Sequence, residues 1–253
     1  MLQAASALWS LATENHEAQQ AIAAAGGIAA LVHVLGLGTA TGFVSERTYV
    51  QAAGALAALA LDNPSNEQSI AQQLVALLGS TDLTAAARAA RAIANFARAN
   101  APESTGLREY TPVLSARTQA QARNQAAVAV AGGVALLVTL LDPKHNPSID
   151  GQREMAAAVW AMAARNPDNQ RGVAEAGGIP SLIALLHGQP EVHRDVAGAL
   201  WSLAGNPGNP DNQHAIAEAG GIVRGRLSMG PRWPSRFRLN APRLRLEDPS
   251  IAP

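Results

Sequence analysis

Asn166-Pro-Asp-Asn-Gln170, leading into Ala174-Glu-Ala-Gly-Gly-Ile179, is the stretch that decides how this chain is read. The same block returns 43 residues later as Asn209-Pro-Asp-Asn-Gln213 and Ala217-Glu-Ala-Gly-Gly-Ile222. A second block keeps similar time: Ala7-Leu-Trp-Ser-Leu-Ala12, Ala55-Leu-Ala-Ala-Leu-Ala60, Ala158-Val-Trp-Ala-Met-Ala163 and Ala199-Leu-Trp-Ser-Leu-Ala204. Self-similarity at such a period, with helical patterning, means a stacked array of helices in which each unit buries its apolar face on its neighbours. Arrays of this kind present surfaces rather than catalyse.

The best-formed unit runs from about Pro167 to Asn206. Asp168 is read as the N-cap of a short helix that ends near Ala176. Gly177-Gly178 stop it, because one glycine can take the left-handed conformation and both allow a close approach by the next helix. Pro180 suits the first turn of a second helix carrying Leu182, Ile183, Leu185 and Leu186. A third helix, from Glu191 to about Ala204, places Val196, Leu200 and Leu203 on one stripe.

Alanine occurs 55 times in 253 residues, which suits thin helices at short interaxial distance. The absence of cysteine excludes disulfide and thiol chemistry and fits a reducing compartment, so a cytoplasmic location is expected, with nuclear or membrane-peripheral alternatives. No apolar run reaches the length of a transmembrane segment, and neither a secretory signal nor a myristoylation glycine is visible at the start. The zero formal charge hides an asymmetry: residues 224–253 hold seven arginines against Glu247 and Asp248, while residues 1–223 hold 12 basic and 17 acidic residues.

The order of short helix, Gly-Gly, apolar helix, loop and long helix resembles an armadillo repeat over roughly residues 3–222. Gly26-Gly27-Ile28 before Leu31-Val32-His33-Val34-Leu35, and Gly132-Gly133-Val134 before Leu136-Leu137-Val138, are further copies of its turn and second helix. The resemblance implies an all-α, right-handed superhelix of helix triplets whose third helices line a concave groove for extended peptides or partner proteins. The Gly-Gly-Ile and Ala-Leu-Trp-Ser-Leu-Ala style is most like vacuolar and plant-type armadillo proteins.

About four full repeats are expected over residues 1–223, with a partial one at each end. The chain opens directly on a third helix, and the repeat pattern collapses after Ile222, so a fragment of a longer array is expected. The unit near 63–100 has lost its Gly-Gly turn, since Ile70-Ala71-Gln72-Gln73 passes straight into Leu74, and its first two helices should be shortened or fused. Residues 101–118 read as a loop insertion, and 224–253 as a basic, Pro/Arg-rich disordered tail.

In nuclear-import armadillo proteins one column of the third helices carries Trp and, a turn later, Asn. Alignment on the Leu-Ala ending puts Ser6, Gly54, Arg91, Ala157 and Gly198 at the Trp position, and Ser10, Ala58, Asn95, Ala161 and Ser202 at the Asn position. Only Asn95 matches, so recognition of nuclear signals is not expected. Trp9, Trp160 and Trp201 fall one residue before the Asn column. They are either aromatic anchors on the groove wall or packing between neighbouring third helices, with packing favoured. Arg88, Arg91, Asn95 and Arg98 share one helix face, a basic patch suited to an acidic peptide or a C-terminal carboxylate. The candidate partner-binding groove is therefore Arg91, Asn95, Arg98, Trp160 and Trp201.

Catalysis has little support. The six histidines show no ligand spacing, so neither a metal nor a small-molecule cofactor is expected, and no specific nucleic-acid partner is. The expected function is a non-catalytic scaffold holding a protein or peptide in its groove. The alternative is the substrate-docking part of a ubiquitin ligase whose catalytic domain lies outside these residues.

Overall fold

The computed structural model describes residues 1–37, 45–98, 111–146, 148–205 and 209–221. Among them are thirteen α-helices and no strand. In order these are α1 Leu2–Ala12, α2 His16–Ala24, α3 Gly27–Gly36, α4 Glu46–Ala60, α5 Pro64–Leu78, α6 Leu83–Ala97, α7 Thr111–Val130, α8 Gly133–Leu141, α9 Ile149–Ala163, α10 Pro167–Glu175, α11 Gly178–Leu185, α12 His193–Leu203 and α13 Pro210–Glu218. A single 3₁₀ turn, Pro190–Val192, leads into α12. The tail 224–253 and residues 101–110 of the expected insertion lie outside the described residues. The rest of that insertion, from Thr111, is helical and opens α7.

The long helices form one layer, with α1 against α4, α4 against α6, α6 against α9 and α9 against α12. The apolar helices α3, α5, α8 and α11 stack behind them in the same order. Between the layers lie Leu35, Leu59, Leu78, Ile93, Leu137, Met155, Met162 and Leu182, all removed from solvent. This is the stacked solenoid that the recurring blocks imply, with four units between the lone helices α1 and α13.

Two kinds of punctuation mark the units. At the Gly-Gly turns the first glycine is left-handed: Gly26, Gly132, Gly177 and Gly220 have φ of 81, 85, 83 and 87°. The second glycine supplies the close approach, since a Cβ on Gly178 would lie 2.5 Å from Val173 Cγ1 and 2.8 Å from the Val173 carbonyl oxygen. A Cβ on Gly177 would meet nothing within 4 Å, so the two glycines divide roles that the sequence assigned jointly. Where the pair is absent no chain reversal forms, and Pro64–Leu78 runs as one fused helix. As a consequence α6 also packs on α3, with the Arg88 guanidinium donating to the Leu37 carbonyl at the end of α3.

The second punctuation is the corner from each long helix into the next short one. Asn166, rather than Asp168, is the N-cap of α10: its side-chain oxygen accepts from the Asn169 N–H at 3.0 Å, with Pro167 in the first turn. Asp168 is instead an exposed first-turn acid, where it faces the positive end of the helix. Asn15, Asn63 and Asn209 cap α2, α5 and α13 in the same way.

The last Asn of the block turns backwards. Asn169 Nδ2 donates to the Met162 carbonyl at 2.9 Å, Asn66 to Leu59 at 2.9 Å, and Asn212 to Leu203 at 2.9 Å. The glutamine serves the same helix end, with Gln170 Nε2 donating to Ala163 at 3.1 Å and Gln213 to Ala204 at 3.0 Å. Its oxygen accepts from the capping Asn of the following unit: Asn63 to Gln19 at 3.4 Å, Asn166 to Gln125 at 3.0 Å and Asn209 to Gln170 at 3.5 Å. One rung differs. Glu67 stands where the other units carry glutamine, and it accepts from Arg123 Nε of the next unit at 2.9 Å, which holds the Arg123 pKa above its usual value.

Three substitutions test these corners. Gly178→Val should cost on the order of 1–3 kcal/mol by forcing Val173 aside, and Gly177→Val a similar amount by φ strain alone. Wild-type melting curves for both would refute the turn assignment. At the other corner Arg165 is exposed and holds φ at 57° without being glycine. Arg165→Gly should therefore leave the melting temperature unchanged or raise it, by up to about 1 kcal/mol of stability. A clear loss in thermal denaturation would show that the left-handed backbone there carries no strain.

Candidate functional site

On the long-helix layer, α6, α9 and α12 leave an open cavity of about 470 Å³. Arg91, Ala94, Asn95 and Arg98 of α6 and its end form one wall, and Arg153, Glu154 and Ala157 of α9 form the floor. Glu191 of the 3₁₀ turn, with Arg194 and Asp195 of α12, closes the far side. Three of the five residues expected from sequence, Arg91, Asn95 and Arg98, are thus brought together. The 3–4–3 spacing on α6 accounts for that, since it places them on one face.

The patch is not simply basic. Four arginines face three carboxylates, and most of these charges are already matched. Arg91 forks onto both carboxylate oxygens of Glu46 on α4, with Nη1 to Oε2 at 3.0 Å, and lies over the Tyr49 ring at 4.6 Å from its centroid. The hydrogen bond from Arg91 holds the Glu46 carboxyl below its usual range, and the same bond raises the Arg91 pKa. Tyr49 is pushed upward by burial, its hydroxyl donating to the Arg88 carbonyl at 3.3 Å. Arg153 reaches Glu154 at 3.2 Å and Asp150 at 3.4 Å, and Arg194 lies 3.6 Å from Asp195.

Sequence reasoning missed the acidic half of the site, although a signal was present. Aligned on the long helices, Arg153-Glu154 and Arg194-Asp195 occupy the same two positions, four and three residues before Ala157 and Gly198.

Trp160 and Trp201 do not line the cavity. Trp160 lies across α12: a Cβ on Gly198 would come 2.6 Å from its Cδ2 and Cε3. Trp9 stands in the same relation to Gly54, whose Cβ would meet the ring at 2.5 Å. A ring from one long helix thus covers a glycine of the next, the packing alternative of the two. Where the residue before the Asn column is alanine instead, the aligned position on the next long helix is Arg91 for Ala57 and Ala157 for Ala94. Trp201, at the last described long helix, is 43% exposed. Trp160 keeps one link to the site, since the Arg98 guanidinium carbon lies 5.6 Å from its ring centroid.

Residues 166–205 match the family model described as the armadillo/beta-catenin-like repeat. A computationally designed armadillo repeat protein for modular peptide recognition is 25% identical, with a TM-score of 0.51 over 87% of this chain and 82% of that one. The chain folds as an armadillo-repeat solenoid. A designed armadillo repeat protein in complex with the peptide (KR)4 has the same fold at 24% identity, TM-score 0.56, covering 88% of this chain and 81% of its own. An engineered protein is 29% identical with a TM-score of 0.55, over 88% of this chain and 79% of that chain. No curated protein sequence matches the chain. No single described helix of this solenoid is long and apolar enough to cross a membrane, and no group of three His, Asp or Glu among the described residues could hold a metal ion.

The tryptophan packing gives a cycle to measure. Trp160→Ala should cost roughly 3 kcal/mol, because the ring is half-buried on Gly198. Gly198→Ala should also destabilise, since the new methyl collides with the ring. In the double variant the collision disappears, so the sum should be less than additive by at least about 0.5 kcal/mol in chemical denaturation. Strict additivity would mean that the ring and the glycine do not touch.

Proposed function

We propose that this protein is a non-catalytic scaffold whose long-helix layer holds an extended segment of a partner protein. The observation that carries this reading is the cavity between α6, α9 and α12, where polar side chains converge on open space instead of on the core. Elsewhere along the layer the equivalent positions are filled, by Trp9 over Gly54 and by Trp160 over Gly198. A peptide crossing the cavity would find charged groups of both signs, which fix register and orientation, and at Asn95 a side-chain amide that no described residue engages, available to its backbone.

The likeness to a designed protein made for modular peptide recognition supports the same use of the layer. The ligase-docking alternative uses the same groove and requires a catalytic domain beyond these residues, so the scaffold is the simpler reading. The vacuolar and plant-type likeness belongs to this proposal too and rests on the Gly-Gly-Ile and Ala-Leu-Trp-Ser-Leu-Ala blocks. A cytoplasmic site of action, which the lack of cysteine favours, completes it.

Ala157→Trp fills the cavity floor without removing a packed side chain. Proteins retained from cell extract by the immobilised wild type should be lost from Ala157→Trp and kept by Arg171→Glu, a change on the opposite layer at an exposed residue. Affinity for such a partner should fall at least about tenfold, with little change in melting temperature. Equal retention by all three proteins would remove the cavity from the docking surface.

A further inference from the structure

Within that groove reading, we propose that Arg98 and Asn95 form a receptor for a single carboxylate, supplied by the C-terminus of a bound peptide or by an Asp or Glu side chain within it. Arg98 differs from its neighbours in having no carboxylate of the described residues within ion-pair distance, whereas Arg91, Arg153 and Arg194 are each matched. It is also desolvated: burial pushes its pKa below the ordinary guanidinium value, only partly offset by the more distant Asp195. An exposed unpaired cation is well served by water, but a part-buried one is not, so a carboxylate gains most at this position.

The guanidinium is held ready for that ligand. Nη2 donates to the Ala157 carbonyl at 3.3 Å, and the guanidinium carbon lies over the Trp160 ring. These contacts fix the fork while leaving further N–H groups for the cavity, the geometry that suits two-point recognition of a carboxylate. Asn95 sits three residues earlier on the same helix face and lines the same cavity, and its amide makes no hydrogen bond among the described residues. It can donate to the second oxygen or to the peptide backbone beside it. Of the cavity's three carboxylates, Glu154 is engaged by Arg153 and Asp195 sits beside Arg194, while Glu191 is exposed to water, so a basic ligand gains less here than a carboxylate does at the part-buried Arg98.

The test uses the full chain labelled with ¹⁵N, titrated with N-acetylglycine as a C-terminal carboxylate and N-acetylaspartate α-amide as a side-chain carboxylate. N-acetylglycinamide and N-acetyllysine amide are the neutral and cationic controls. Both carboxylates should shift the Asn95 side-chain amide and the Arg98 Nε signal, the controls should not, and the tighter of the two acids identifies the source. Arg98→Met should weaken carboxylate binding about tenfold or more without lowering the melting temperature, because it removes a desolvated charge. Arg171→Met should leave binding intact, and Asn95→Ala gives an independent loss should Arg98→Met fold poorly.

Shifts by the lysine compound equal to those by the acids, no shift by either acid up to its solubility limit, or carboxylate binding retained in Arg98→Met would each overturn the proposal. The groove reading falls separately, on retention of partners by Ala157→Trp.

Discussion

Where α1, α4, α9 and α12 end, the carbonyls of the last turn must be satisfied with little help from water. That constraint organises the molecule. The backward-reaching Asn66, Asn169 and Asn212 supply the missing donors, while the Asn before each of them caps the next helix. One five-residue block therefore ends one helix, starts another and, through its glutamine, joins the unit to its neighbour. Leaving a buried carbonyl unpaired costs about 1–3 kcal/mol, so these amides specify the angle of the corner as firmly as the apolar core does. They also hold Glu14, Asp62 and Arg165 at φ of 53, 52 and 57°, a conformation such residues seldom adopt unaided.

The rung at Glu67 shows what the array will exchange. In α7 the position equivalent to the capping asparagine is occupied by Gln121, and the helix begins earlier, at Thr111. No cap is needed there, so the amide link between units is lost. Arg123 replaces it by bridging Glu67 at 2.9 Å and Asp62 at 3.0 Å. With the Glu67 side chain 5% exposed, this corner joins its two units through charge, as Arg91 and Glu46 do on the long-helix layer. Its worth depends on both partners being present, because a buried carboxylate without its cation is costly.

The fold was legible because its signals are local and repeated. A left-handed turn needs glycine, a helix start needs an oxygen side chain, and a stripe of leucine must be buried, each within a few residues of sequence. The fused helix Pro64–Leu78 was legible for the same reason, as the loss of a glycine pair. The cap at Asn166 was misread as Asp168 because both carry an oxygen that can accept from the N–H groups of a helix start, and only the proline at the first helical position separates them. The site was half legible. Spacing on one helix brought Arg91, Asn95 and Arg98 together, but which charges remain unmatched depends on Glu46, Arg153 and Asp195, drawn from three other helices. The tryptophans were ambiguous because a ring on the groove wall and a ring between helices differ by one step around the helix, about 100°. What decides is the glycine opposite, 38 residues from Trp160 in sequence at Gly198.

Packing and recognition thus draw on different columns of the same helices. Where Trp9 and Trp160 cover glycine, the long helices approach closely and the layer is closed. Where alanines face each other, as Ala94 faces Ala157, neither side chain fills the gap, and the cavity opens beside them. The opening leaves Arg98 part-buried and, among the described residues, without a carboxylate partner, a local loss that the surrounding frame can tolerate. That frame is set on the other side of the molecule, by the glycine turns and the amide corners, which share no partner with the cavity residues. Changes in the cavity should therefore alter what is bound with little effect on the solenoid, whereas changes at the corners should act on stability first.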